Sequence, residues 1–270
     1  MATASLPAPV NNLEVTRPRF AAISEAVEAV GEFGIFAWRI AKAIAKPPYE
    51  FREFLHQLDM IGAQSMPLIA LAGAATGVVL SLQTRDSLSR FGAKSVLPAV
   101  LVFSLIKETG PIITGLVAAG RVGAGIGAEL GSMKVTEQID AMEASAVDPH
   151  KYLAATRVLA AIVALPLLTV FADFCGILAG WFAATMTDPV SLQLFIGSGF
   201  KAVTFHDIIP PTLKTAVFGL IIGLVSTFQG MRTRGGTEGV GHSATSSVVL
   251  SSLLIIVADV VLVRLIIEFF

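Results

Sequence analysis

KETGPIITGLVAAGRVGAGIGAELGSMKVTEQIDAMEASAVDPHK, residues 107–151, decides how the rest of the chain is read. It opens with Lys107 and Glu108 inside a hydrophobic run, passes through a glycine-rich segment at Arg121, and closes in a short amphipathic piece before Asp148 and Pro149. A charge at the centre of a bilayer costs about 2.5–3.5 kcal/mol on insertion scales. Neighbouring helical positions point about 100° apart, so Lys107 and Glu108 cannot neutralise each other. They require partners on other helices, water or ligand. Pro111 has no N–H to give to the carbonyl of Lys107, which bends the helix beside the charges. Charges next to a kink predict a water-accessible cavity rather than a lipid-facing surface.

The flanking sequence has the composition of a membrane domain. The chain has 270 residues, of which 54% are hydrophobic and 14% charged, with a mean hydropathy of +0.76. A soluble domain carries about a quarter charged residues. Apolar runs of the length a bilayer demands, about 20 residues, recur near 61–83, 96–120, 157–185, 208–229 and 246–269. The predicted fold class is therefore an all-α polytopic membrane protein with about five transmembrane helices. Residues 1–19 read as a disordered tail without the apolar core of a signal peptide. Residues 20–54 read as an interfacial amphipathic region, with Ile23, Val27, Val30, Gly34 and Trp38 at helical spacing and Arg39, Lys42 and Lys46 towards its end. Pro47 and Pro48 stop it. Residues 55–270 form the membrane domain. Five spans put the termini on opposite sides. Lys42, Lys46, Arg52, Arg121, Lys134, Lys151, Arg232 and Arg234 outnumber the basic residues of the other loops, which favours a cytoplasmic N-terminus.

A net charge of −1 argues against nucleic-acid binding, and a single cysteine, Cys175, excludes an intrachain disulfide framework and a cysteine-ligated metal site. No metal or other cofactor is expected. The glycines after Arg121 lack dinucleotide-binding spacing and follow an apolar helix. Gly123, Gly127 and Gly131, four apart, predict close helix packing, as do Gly73 with Gly77, Gly176 with Gly180 and Gly219 with Gly223. The stretch from Gly236 to Ser243 imitates a phosphate-binding loop, but His242 stands where that loop needs lysine and no strand precedes it. The chain is accordingly expected not to be an enzyme.

From about 134 to 146 the sequence predicts a short helix. Val135, Ile139, Met142 and Ala146 make its apolar stripe, and Glu137, Asp140 and Glu143 its acidic side. Membrane-surface helices carry Lys or Arg on the polar face, so a protein partner suits this one better than bare lipid. Asp259, at a depth in the last span similar to that of Lys107, is the expected structural intramembrane charge and the expected partner of Lys107.

The segments K-E-T-G-P, A-A-G-R-V-G-A-G-I-G-A-E-L-G and M-K-V-T-E-Q-I-D-A-M-E, with Val147, Asp148 and Pro149, resemble the MlaE/YrbE family of ABC-transporter permeases. The resemblance covers about residues 55–270 and is most specific over 98–160. It implies a homodimer in the bacterial inner membrane, powered by a separate cytoplasmic ABC ATPase that uses the ATP. That ATPase would dock on the helix carrying Val135, Glu137, Ile139, Asp140, Met142 and Glu143. It further implies a lipid substrate, typically phospholipid, moved between the membrane and an MCE-domain lipid-binding protein on the non-cytoplasmic side. Lys107 and Glu108 would belong to the substrate cavity, with Leu82, Gln83 and Arg85 near its mouth. Some better-known members have an aromatic near Arg85 and some members carry an arginine in place of Lys107, so headgroup preference stays open, and the resemblance extends to actinobacterial relatives linked instead to sterol or fatty-acid uptake. Two other classes fit the residues alone: a secondary transporter coupled to protons through Glu108, and a non-transporting envelope scaffold.

Overall fold

A computed structural model describes residues 19–47, 49–201 and 203–269. The tail expected over 1–19 lies outside these except for Arg19, which opens the first helix. Eleven α-helices follow in order: α1 (Arg19–Ala45), α2 (Phe51–Ile61), α3 (Met66–Arg90), α4 (Leu97–Ser104), α5 (Gly110–Ala118), α6 (Ala124–Val135), α7 (Gln138–Ala144), α8 (Thr156–Thr185), α9 (Leu192–Lys201), α10 (Phe205–Met231) and α11 (Gly236–Phe269). The described residues contain no strand. The chain divides into two compact units at Trp38 and Arg39. In the first, Val27, Val30, Ile35 and Trp38 are exposed apolar residues of α1.

The second unit holds five helical segments long and apolar enough to cross a membrane: Phe51–Arg90, Lys94–Val135, His150–Thr185, Phe205–Met231 and Gly236–Glu268. Their number and order match the sequence reading, and they are called spans one to five below. The segments outrun the apolar windows, because hydropathy senses the hydrocarbon-compatible part while hydrogen bonding sets where a helix stops. Span two shows this most clearly. Its apolar run fades near Gly120, yet the helix continues through α6 to Val135.

Close glycine contacts fix the register of the spans. A side chain at Gly73 would collide with the backbone of Ala172, and one at Gly77 with the backbone of Gly176. One turn further on, Ser81 Oγ donates to the carbonyl of Gly180 at 2.9 Å. Each pair advances by four residues in both helices, so spans one and three run parallel at the closest approach backbones allow. Gly219 and Gly223 abut Ala161 and Val158, which sets span four antiparallel to span three. Gly127 faces Ser247 and Ser243 of span five, Gly123 faces Ser226 of span four, and Gly131 faces Thr233. These contacts explain the length of span two: a glycine face that packs against two neighbours holds α6 as helix beyond its apolar stretch. The core they enclose includes Val122, Ile126, Leu130, Leu165, Phe218 and Ile255.

The short connections 136–149 and 232–235 lie together at one end of the bundle, the connector end. The turn at 91–93 and the segment with α9 lie at the other. Gly235 and Gly236, at φ +91 and +69, make the tight return into span five that other residues adopt at a cost. The stretch from Gly236 to Ser243 forms the first turns of α11.

Candidate functional site

Span two departs from α geometry where its charges stand. Residues Leu105–Thr109 form a π turn, and the N–H of Gly110 reaches back to the carbonyl of Leu105. Pro111 cannot donate to the carbonyl of Lys107, and a wider turn absorbs that gap as a bulge instead of a break. The bulge sits where Lys107 and Glu108 meet two different positions of α10, Asp207 and Lys214.

Lys107 Nζ lies 3.3 Å from Asp207 Oδ1 and 4.6 Å from the centroid of the Phe103 ring, a cation–π distance. Asp207 is itself fixed, because its other oxygen accepts from the backbone N–H and hydroxyl of Thr204 in a capping box that starts α10. Glu108 Oε2 accepts from Lys214 Nζ at 2.8 Å. Asp259 Oδ1 lies 2.9 Å from the same nitrogen, close enough for an ion pair but outside hydrogen-bond alignment. Lys214 is 3% exposed and Asp259 8%. The expected Lys107–Asp259 pair is therefore corrected: Asp259 pairs with Lys214, and Lys107 with Asp207. Depth along the span matched Asp259 to Lys107, but helix rotation and the π turn decided which lysine it meets.

Lys107 and Lys214 together face Asp207, Glu108 and Asp259. One carboxylate thus has no cation of its own, in a medium where an unpaired charge is costly. Asp173 of span three lies at the same bulge. Its Oδ1 packs against Gly110 so closely that no side chain fits there, and it has no hydrogen-bond partner. Sequence reasoning passed over Lys214 and Asp173. Each is a charge inside an apolar run, the signal that had marked Lys107 and Glu108. A cleft of about 480 Å³ opens between α10 and α11, walled by Ile209, Leu213, Val217, Leu262 and Ile266, with Lys214 at its lining.

Arg85 is engaged elsewhere. It donates to Asp188 Oδ2 at 2.7 Å, and Lys94 approaches the same oxygen at 3.4 Å. These residues line a separate cleft of about 350 Å³ beside Pro98 and Phe195. The Arg85 hydrogen bond is the main reason the Asp188 carboxyl sits below its ordinary value. Leu82 and Gln83, just before Arg85, are exposed.

At the connector end, the continuous helix expected over 134–146 is broken. α6 ends at Val135, Glu137 adopts φ 60, and α7 runs from Gln138 to Ala144. The N–H groups of Thr136 and Glu137 bond back to Ser132 and Lys134, a left-handed close that satisfies the end of α6. Ala146, expected in the apolar stripe, also has positive φ and lies outside α7. Ile139 is buried and Met142 packs on the core, while Glu137, Asp140 and Glu143 are exposed. Lys134 Nζ holds Asp140 at 2.6 Å. Beneath the loop, buried Arg157 of span three donates to Glu129 of span two at 2.7 Å.

A polytopic helical bundle with a paired but unbalanced charge layer inside its spans fits the class of membrane transport proteins. The particular family follows from comparison: the profile described as Permease MlaE matches residues 54–265, and the chain belongs to that family of ABC-transporter permeases. It is 38% identical over 238 residues to a probable ABC transporter permease protein of Rickettsia typhi, covering 88% of this chain and 92% of the relative. A probable ABC transporter permease protein of Synechocystis is 35% identical, covering 77% of this chain and 79% of the other. Protein TRIGALACTOSYLDIACYLGLYCEROL 1, chloroplastic, of Arabidopsis thaliana is 34% identical, covering 84% of this chain and 65% of the other.

Proposed function

We propose that this chain is the membrane-spanning subunit of a transporter that moves lipid, with phospholipid as the substrate class. The observation that carries this reading is the apolar cleft of about 480 Å³ that reaches buried Lys214. Apolar walls suit acyl chains, and the Lys214 ammonium at the lining can meet the phosphate of a headgroup. Lys107 and Glu108 are the charges of the substrate path, Asp259 holds Lys214 in place, and Leu82, Gln83 and Arg85 serve the outer approach. The name of the Arabidopsis relative is that of a galactosyl diacylglycerol, which supports lipid as the substrate class but says nothing for a phosphate headgroup.

The energy comes from an ATPase on a separate chain. It docks at the connector end, where α7 is rooted by Ile139 and Met142 and offers Glu137, Asp140 and Glu143 outwards, with Val135 closing α6 behind it. That end is cytoplasmic in the bacterial inner membrane, as is the N-terminus, and an MCE-domain lipid-binding protein meets the opposite end. Two copies pair through exposed apolar surface. Span five is the most available for this, with 17% of its apolar window buried against 50% for span three. Family membership favours ATP over a proton gradient as the energy source.

Two measurements test the proposal. Phospholipid co-purifying with the chain is expected to fall sharply in Lys107→Ala and Glu108→Gln, and unchanged recovery in both would count against the cavity assignment. Reversing Glu137 and Asp140 to lysine should abolish ATPase co-purification while leaving membrane insertion intact. Persistent ATPase binding would remove α7 from the docking surface.

A further inference from the structure

Span two has a second π turn, Ala119–Gly123, and it too carries a charge, Arg121. Arg121 Nη1 donates to the hydroxyl of Ser65 and lies 3.5 Å from the carbonyl of Met60. Both acceptors are neutral. Among the described residues, Nη2 and Nε make no hydrogen bond. An arginine carries five donors in a fixed fork suited to phosphate, so most of this one remains unused.

Arg121 lines a cleft of about 370 Å³ between the end of α2 and α6, whose other polar lining residues are His56, Gln57, Gln64 and Glu129. Glu129 does not cancel the arginine, because it is bound by Arg157 at 2.7 Å. With Glu129 balanced by Arg157, which is buried behind the cleft, Arg121 is left as the unbalanced cation of its lining. Its place at the ends of two apolar runs suits a headgroup. Ser65 immediately precedes α3, where span one enters its apolar stretch, and Met60, Met66 and Leu68 are exposed apolar residues at the same end. A cation with free donors above exposed apolar side chains matches the two parts of a lipid in one leaflet.

We infer that Arg121 and the α2–α6 cleft form a binding site for the phosphate of an anionic phospholipid headgroup in the leaflet at the connector end. The site is separate from the charge layer around Lys107 and Lys214, and it does not depend on the transport reading. Its occupant pins the α2–α3 elbow, at Ile61 to Met66, to span two.

Hydrogen–deuterium exchange across residues 56–66 tests it, with the full chain in nanodiscs of phosphatidylcholine alone or mixed with phosphatidylglycerol. Phosphatidylglycerol is expected to slow exchange in this segment about fivefold, the strength of one arginine at an anionic surface. The slowing should be lost in Arg121→Gln and kept in Arg121→Lys. It should also be kept in Lys107→Ala, which weakens the other cluster, so failure of the lipid-transport proposal would leave this result standing. Slowing that persists in Arg121→Gln, or no slowing in the unsubstituted chain, overturns the site. The same slowing on adding inorganic phosphate to phosphatidylcholine discs overturns the lipid as its source.

Discussion

The two π turns of span two make the most instructive comparison in the molecule. Both widen a buried helix, and both carry charge at the widening. At Leu105–Thr109 the charges are answered by other charges: Asp207 for Lys107, and Lys214, shared with Asp259, for Glu108. At Ala119–Gly123 the charge is answered by a hydroxyl and a carbonyl. The first turn joins two sets, Lys107 with Asp207 and Lys214 with Glu108 and Asp259, in a closed network between spans two, four and five, and removing either lysine strands its carboxylates. The second is an anchored cation with spare capacity, beside a glycine face that packs spans two, four and five together. Thus the same backbone device serves ion pairing within the bundle at one depth and outward contact at the other.

The largest expected effect comes from breaking the closed network. Lys214→Ala leaves Glu108 and Asp259 facing each other with no cation, and removing one partner of a buried pair costs about 3–5 kcal/mol. A large fall in thermal stability in detergent checks this. Neutralising all three positions together, as Lys214→Met with Glu108→Gln and Asp259→Asn, should restore most of that stability while transport stays lost. If Lys214→Ala is as stable as the parent chain, the network is not the closed unit described here.

An intermediate effect is expected from the glycine packing of span one on span three. Gly77→Leu places a side chain against the Gly176 backbone, and overpacking of this kind costs about 1–3 kcal/mol. Gly125→Leu, on the open side of α6, should cost far less. Equal losses in thermal unfolding at the two positions would break the distinction between packed and open glycines.

The smallest effect concerns Arg85 and Asp188. The Asp188 carboxyl is held below its ordinary value of 3.8, chiefly by the Arg85 hydrogen bond. A depressed carboxyl contributes stability above its ordinary value and loses it as pH falls through the lowered one. The stability difference between the parent chain and Asp188→Asn should therefore be small, constant near neutrality, and vanish as pH drops below 3.8. A difference that grew on acidification would mean that the link titrates in the opposite sense.

Much of this organisation was legible in the residues. Long apolar runs gave five spans because the bilayer sets their length. Glycines four apart, such as Gly73 and Gly77, announced close helix approach, and Pro111 announced a distortion. The partner of Asp259 was not legible, because depth along a helix follows from counting residues whereas rotation about its axis depends on the π turn and on every packed neighbour. The extent of span two was hidden for a related reason: polar residues after Gly120 stay helical only because Gly123, Gly127 and Gly131 find Ser226, Ser247 and Thr233 opposite them. The break at Glu137 left no mark on the apolar periodicity of 135–146, since a single left-handed residue alters direction without altering composition. Sequence by itself thus determined what must be buried in the membrane and which groups would be costly there. Tertiary structure alone decided how those costs are met, because electrostatic pairing acts through distances of a few ångströms that one chain position cannot encode.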